Sequence, residues 1–108
     1  MPVAKSLQKV RRQHAQLKRR RIAQAQAREW LRTTEALVID GLVRVTEAAL
    51  QSEDDMLRAV DDLAVWLRAY GRAVRWCAEL GVEVELHQLA REALADLQAQ
   101  TGQVGTGG

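Results

Sequence analysis

The chain has 108 residues, 28% of them charged, with a net charge of +2, three Trp, one Tyr, no Phe and one Pro. This length allows one domain at most, and the lack of alternating β-branched and polar residues argues against a sheet. The single Cys77 cannot form an intrachain disulfide, and no secretory signal or stretch of ~20 apolar residues is visible. We therefore expect a soluble, cytoplasmic, helical protein with no membrane span.

The small net charge conceals two oppositely charged parts. Residues 1–32 hold ten Lys or Arg and one acid, a formal charge of +9, whereas residues 33–108 hold six Arg and thirteen acids, a charge of −7. Such asymmetry indicates an anionic partner for the basic end: nucleic acid, a membrane surface or an acidic protein.

Residues 1–22 are predicted to form a basic arm, helical or disordered when free, because like charges repel along it without an acid to relieve them. Four consecutive cations occur at Lys18 to Arg21. On a helix they point all round the axis, which suits a phosphate backbone better than one base edge. The candidate nucleic-acid-binding residues are Lys5, Lys9, Arg11, Arg12, Lys18, Arg19, Arg20, Arg21 and Arg28.

A narrow apolar stripe of Val3, Leu7, Val10 and Leu17 follows a heptad frame through this arm and could pair as a coiled coil. Its apolar area is small and contains no Trp or Phe, so a membrane-surface function is the weaker interpretation. A solvated charge run and docking on acidic protein, including the −7 part of a neighbouring copy, remain open alternatives.

Residues 23–100 predict an antiparallel helical hairpin followed by a third short helix. A wide apolar face runs from Ala23 to about Leu50, with Gly41 on it for close helix approach. Ser52 is a predicted N-cap, and Gly81 is a predicted C′ residue. Between them, seven residues keep to one helical face: Met56, Val60, Leu63, Leu67, Tyr70, Val74 and Cys77.

The third helix is predicted from Leu86 to about Gln100, and residues 101–108, rich in Gly, predict a flexible tail. Trp66 lies at the edge of the apolar face, and Trp76 lies on the back of the same helix. Those apolar groups need cover from the third helix or from another subunit. The candidate interface residues are Leu7, Leu17, Trp66, Tyr70 and Trp76.

No catalytic motif, metal-ligand spacing or cofactor fingerprint occurs, so we expect no enzyme, no metal, no cofactor and no small-molecule substrate.

Ala78 to Val82 has the outline of a helix-turn-helix turn, but Glu83, Glu85 and Glu92 after it would repel DNA. The predicted outline, a helical hairpin with a basic extension, is similar in shape to small phage DNA-packaging subunits and to small helical subunits of nucleoprotein complexes, without a shared motif that would carry over any residue.

Two functions follow from these patterns. The first is a nucleic-acid-associated assembly subunit, whose arm contacts DNA or RNA phosphates non-specifically while the hairpin makes oligomer or partner contacts. The second is a protein–protein adaptor or scaffold, whose arm forms a coiled coil or docks on an acidic protein surface.

Overall fold

The computed structural model describes the backbone of residues 2–107 and the side chains of residues 5–101. Three helices follow in order: α1 (Pro2–Ala49), α2 (Glu53–Glu79) and α3 (Gln88–Gly107). No strand occurs in residues 2–107, so the all-α prediction is confirmed. α1 and α2 are antiparallel, because Gln24 contacts Leu80 near one end of the pair while Gly41 lies against Leu63 towards the other.

The core lies along the seam between α1 and α2 and is closed by α3. Its buried residues on the three helices and the link before α3 are Ala27, Leu31, Val38, Leu63, Leu67, Tyr70, Ala73, Cys77, Val82, Ala90 and Leu94. The glycine at position 41 is buried on this seam, and a Cβ placed there would lie 2.9 Å from Leu63 Cδ1. Gly41 therefore allows the close helix approach that its position on the apolar face predicts.

Both predicted ends of α2 are confirmed. The Ser52 hydroxyl accepts a hydrogen bond from the Asp55 amide at 3.1 Å and caps the N-terminus. At the other end Gly81 has a φ of +69°. Its amide donates to the Ala78 carbonyl at 3.1 Å and the Val82 amide donates to the Cys77 carbonyl at 2.8 Å, which together form a Schellman motif.

α3 starts two residues later than predicted, because His87 caps it. The His87 Nδ1 atom accepts a hydrogen bond from the Leu89 amide at 3.2 Å, which occupies one otherwise unpaired donor of the first turn. The helix also continues beyond Gln100, to Gly107. The predicted flexibility of residues 101–108 stays a prediction.

A buried carboxylate joins the three helices. The Glu35 Oε2 atom on α1 accepts a 2.7 Å hydrogen bond from the Tyr70 hydroxyl on α2 and a 3.1 Å bond from the His87 amide at the start of α3. Its Oε1 atom pairs with Arg32 at 3.2 Å. Arg32 also donates to the Glu85 carbonyl at 3.1 Å, so the link before α3 is held from α1 at two points.

The contacts of Glu35 set the pKa values of two side chains. Burial alone raises the pKa of Glu35, but the bonds from the His87 amide and the Tyr70 hydroxyl and the Arg32 charge outweigh it. The pKa of Glu35 is therefore lowered from 4.5. Burial, then the hydrogen bond to Glu35, raises the pKa of Tyr70 far above its usual range. The lowered pKa keeps Glu35 ionised, and the raised pKa keeps Tyr70 neutral. The hydrogen bond from the Tyr70 hydroxyl to the Glu35 carboxylate requires these two protonation states.

We predict that Glu35→Gln lowers the free energy of unfolding at pH 7 by about 2 kcal/mol, since the bonds to a buried charged acceptor are weakened. The folded-state pKa of Glu35 lies below its unfolded value, so its contribution is complete above about pH 4.5 and disappears as the pH falls through the folded-state pKa. Urea unfolding at pH 7 and pH 3 should therefore give a smaller difference between the wild type and the variant at pH 3. Glu83→Gln, at an exposed site, is the control, and an equal difference at both pH values would contradict the prediction.

We also predict that Gly81→Ala lowers the free energy of unfolding by about 1 kcal/mol, because an L side chain is strained at a φ of +69°. Gly81→Asn should cost less, since Asn tolerates the left-handed conformation better than Ala. Thermal unfolding of both variants checks the order, and an unchanged Gly81→Ala protein would contradict the assignment of the C′ position.

Candidate nucleic-acid interface

The N-terminal part of α1, where the sequence predicts the basic arm, extends past the end of α2. At the point where the two helices part, Arg20 Nη2 and Gln24 Nε2 both donate to the Leu80 carbonyl, at 3.4 and 3.0 Å. This carbonyl lies at the C-terminus of α2, where carbonyl groups lack helical partners. Residues 5–19, on the free side of this clamp, extend about 22 Å along the helix axis.

The cations of the arm have no acidic partner in the part of the chain with described side chains. Every side chain from residue 5 to residue 21 is exposed. The ion pairs among residues 5–101 are Arg32–Glu35 and Arg44–Asp40, and both lie in the hairpin. The positive charge of the arm is therefore left for solvent ions or for another molecule.

The nine candidate residues do not form one flat patch. The four cations from Lys18 to Arg21 are spaced at roughly 100° per residue, so they surround the helix. Arg20 is directed to the Leu80 carbonyl and is partly used within the chain. Sequence reasoning missed this role because the two residues are 60 positions apart, and no local pattern signals such a contact.

Arg28 belongs to the hairpin and not to the free arm. It is exposed, and its charge acts on Cys77 of α2. Burial nevertheless raises the pKa of the Cys77 thiol, and the charges of Arg28 and Arg32 offset only part of that rise. The buried, protonated thiol is thus part of the core. Arg28 lies where the hairpin meets the basic arm.

Three of the four residues of the arm's apolar stripe are uncovered, and the side chain of the fourth, Val3, lies outside the described residues. Leu7, Val10 and Leu17 are 54, 59 and 56% exposed. Large apolar side chains in a row on a free helix are typical of a surface that meets another chain. The candidate interface residues Leu7 and Leu17 are therefore accessible.

The three aromatic candidates of α2 differ. Trp66 and Trp76 are half-buried and pack against the core of their own chain, leaving part of each ring accessible. Tyr70 is completely buried and bonded to Glu35, so its assignment to an interface is wrong in this fold. The apolar spacing correctly put Tyr70 on the packed face, but that face meets α1 and not a second molecule.

A depression of about 790 Å³ lies beside Glu35 where α3 begins. Its lining includes Arg32, Glu35, His87 and Arg91. The Glu35 carboxylate already accepts three hydrogen bonds, and Arg32 already donates to the Glu85 carbonyl. These groups satisfy one another, so the depression is a helix junction and has no free buried group that would hold a ligand.

Comparisons with protein-family models, with curated proteins and with solved structures each found no match to this chain. Among the helices of the described part of the chain, none combines the length and the apolar character needed to cross a membrane.

We predict that the free energy of unfolding of a chain beginning at Arg20 lies within about 0.5 kcal/mol of that of the full chain, because the side chains of residues 5–19 are exposed and contribute nothing to the buried core. Arg20 and Gln24 are kept, so the clamp on the Leu80 carbonyl persists. Urea unfolding of the two chains checks this, with the core variant Leu31→Ala as the destabilised reference. A large loss of stability on truncation would mean that the arm packs on the hairpin.

Proposed function

We propose that this chain is a non-enzymatic, nucleic-acid-associated assembly subunit. The arm of α1 holds phosphates of DNA or RNA without reading base sequence, and the hairpin makes oligomer or partner contacts. The observation that carries the proposal is the projection of exposed, unneutralised cations past the end of the hairpin. Counterion release from phosphates gives such a surface its affinity.

The arrangement of the cations supports contact with a backbone. Side chains that surround a helix cannot all face one groove, but they can reach phosphates on both sides of it. The arginines fork onto phosphate oxygens, and the lysines act as point charges. Affinity should therefore depend on the number of charges and on salt, with little dependence on sequence.

The exposed Leu7, Val10 and Leu17 favour a second candidate, a protein adaptor that pairs through a coiled coil in the arm. The two candidates respond differently to the same change. Leu7→Ser with Leu17→Ser should abolish assembly if the adaptor function is correct, and should barely change binding to a polyanion. An unchanged oligomeric mass in that double variant would count against the adaptor.

We predict that fluorescence anisotropy of labelled duplex and single-stranded DNA and RNA will show binding at ~50 mM salt. If five to eight cations engage phosphates, log K falls with log salt at a slope of about −4 to −7. Replacing Lys18, Arg19 and Arg21 by Gln should reduce the magnitude of the slope by about 3.

The control replaces Arg44 and Arg58 of the hairpin and Arg91 of α3 by Gln, which removes the same charge and should leave the slope unchanged. A chain that begins at Arg28 should not bind, since the arm is absent. Absence of binding by the full chain at ~50 mM salt, where non-specific binding is strong, would contradict the proposal.

A further inference from the structure

The outer face of α2 carries charges that repeat every seven residues and change sign halfway along the helix. Asp54 and Asp61 occupy two successive positions of this repeat, and Arg68 and Arg75 occupy the next two. All four side chains are exposed, and none forms an ion pair among residues 5–101. Seven residues are nearly two turns, so the four lie in one stripe about 32 Å long. We call this the charged stripe.

The charged stripe is complementary to itself when its direction is reversed. In an antiparallel pair of α2 helices, Asp54 of one copy lies opposite Arg75 of the second copy, and Asp61 lies opposite Arg68. Two-fold symmetry repeats both contacts, so the stripe forms four ion pairs. Complementarity of one patch with itself is the requirement for an isologous dimer interface.

A row of smaller side chains borders the charged stripe on the side of α3. It consists of Leu57, Ala64, Gly71 and Ala78. In the same antiparallel register this row faces itself, so Ala64 meets Ala64 and the 51%-exposed Leu57 meets Gly71 of the second copy. The charged stripe and the smaller row thus require the same register, to within one residue.

The surface around Gly71 can receive an apolar side chain. It is a groove of about 330 Å³ between α2 and α3, whose lining includes Leu67, Gly71 and Leu94 at its floor and Arg68 and Arg75 at its rim. Leu67 and Leu94 are buried, and a Cβ on Gly71 would lie 3.2 Å from Leu94 Cδ1. The glycine therefore keeps open a recess, rimmed by cations and without a carboxylate in its lining, opposite the position of Leu57 in the second copy.

The other border of the stripe gives one favourable and one unfavourable contact. Val65 is 57% exposed and would meet Val65 of the second copy. Arg58 would lie near Arg72 of the second copy, at the solvent-exposed edge of the contact. This like-charge pair weakens the interface, and it provides a variant that should strengthen it.

We infer that α2 is a homodimerisation helix, through which two copies pair antiparallel along the charged stripe, with Leu57 of each seated at Gly71 of the other. The inference deepens the assembly part of the proposed function and rests on it. Because α2 ends near the base of the arm, this dimer places the two arm bases about 46 Å apart and directs the arms away from each other. Such a dimer presents its cations along one extended line, which suits a continuous polyanion.

The test measures mass by sedimentation equilibrium, in low salt and without nucleic acid. The wild type should give twice the 12.1-kDa mass of the chain. Two variants reverse half of the charged stripe: one carries Asp54→Arg and Asp61→Arg, and the other carries Arg68→Asp and Arg75→Asp. Each variant alone faces like charges and should raise the dimer Kd at least ~10-fold.

An equimolar mixture of the two variants should restore the dimer as a heterodimer, since every contact along the stripe then joins Arg to Asp. This restoration also shows that both variants are folded. Arg58→Glu should tighten the homodimer, and Asp62→Arg, about 100° away round the helix from Asp61, should leave its Kd unchanged.

A monomeric wild type at ~1 mM, a mixture that stays monomeric, or a mass above that of a dimer would each overturn the inference. Dimerisation of either variant at the wild-type Kd would overturn it too. No nucleic acid is present in these measurements, so a failure of nucleic-acid binding and a failure of the dimer are separate results.

Discussion

The arrangement of the three helices depends on one buried carboxylate. Glu35 is 7% exposed and accepts hydrogen bonds from a hydroxyl of α2, from the amide before α3 and from an arginine of its own helix. Burying a charge is unfavourable unless donors surround it. Two of the three donors, the Tyr70 hydroxyl and the His87 amide, come from distant parts of the chain, so the charge is fully satisfied in one arrangement of the helices and is exposed or underbonded in others. Apolar packing along the seam tolerates small slips in register, whereas this set of hydrogen bonds does not.

Fixing the register at Glu35 determines where α1 overhangs α2. α1 has 48 residues and α2 has 27. Because a short turn joins the C-terminus of α1 to the N-terminus of α2, the two helices are level at that end, and the difference in length appears at the other end. With Glu35 opposite Tyr70 and Gln24 opposite Leu80, the excess of α1 must project beyond the C-terminus of α2. The residues that project are the ones that concentrate the positive charge. The core thus positions the candidate interface, although no core residue belongs to it.

The sequence predicts the three helices and both ends of α2 well, because those depend on local chemistry. Ser52 and Gly81 act within a few residues of themselves, and the apolar spacing of α2 needs no knowledge of its partner. Glu35 escaped sequence reasoning because a charged residue on an apolar face contradicts the pattern, and its donors lie 35 and 52 positions away. Tyr70 was misassigned for a related reason: periodicity identifies a face that must be covered, but not the molecule that covers it. The projecting arm was predicted from composition, whereas its starting point at Arg20 depends on a long-range contact.

The continuity of α1 explains why the two charged parts of the chain do not neutralise each other. A flexible basic segment could fold back on the −7 part, but a helix that is continuous from Pro2 to Ala49 holds its N-terminal cations at a distance. Lys5 lies about 22 Å along the axis from the clamp at Arg20, more than two Debye lengths at physiological salt. The acids of the hairpin are therefore screened from the tip of the arm. A duplex that carries one charge per about 1.7 Å of axis presents a much denser counter-charge than those dispersed acids. The stiffness of α1 thus favours an external polyanion over the chain's own acidic surface.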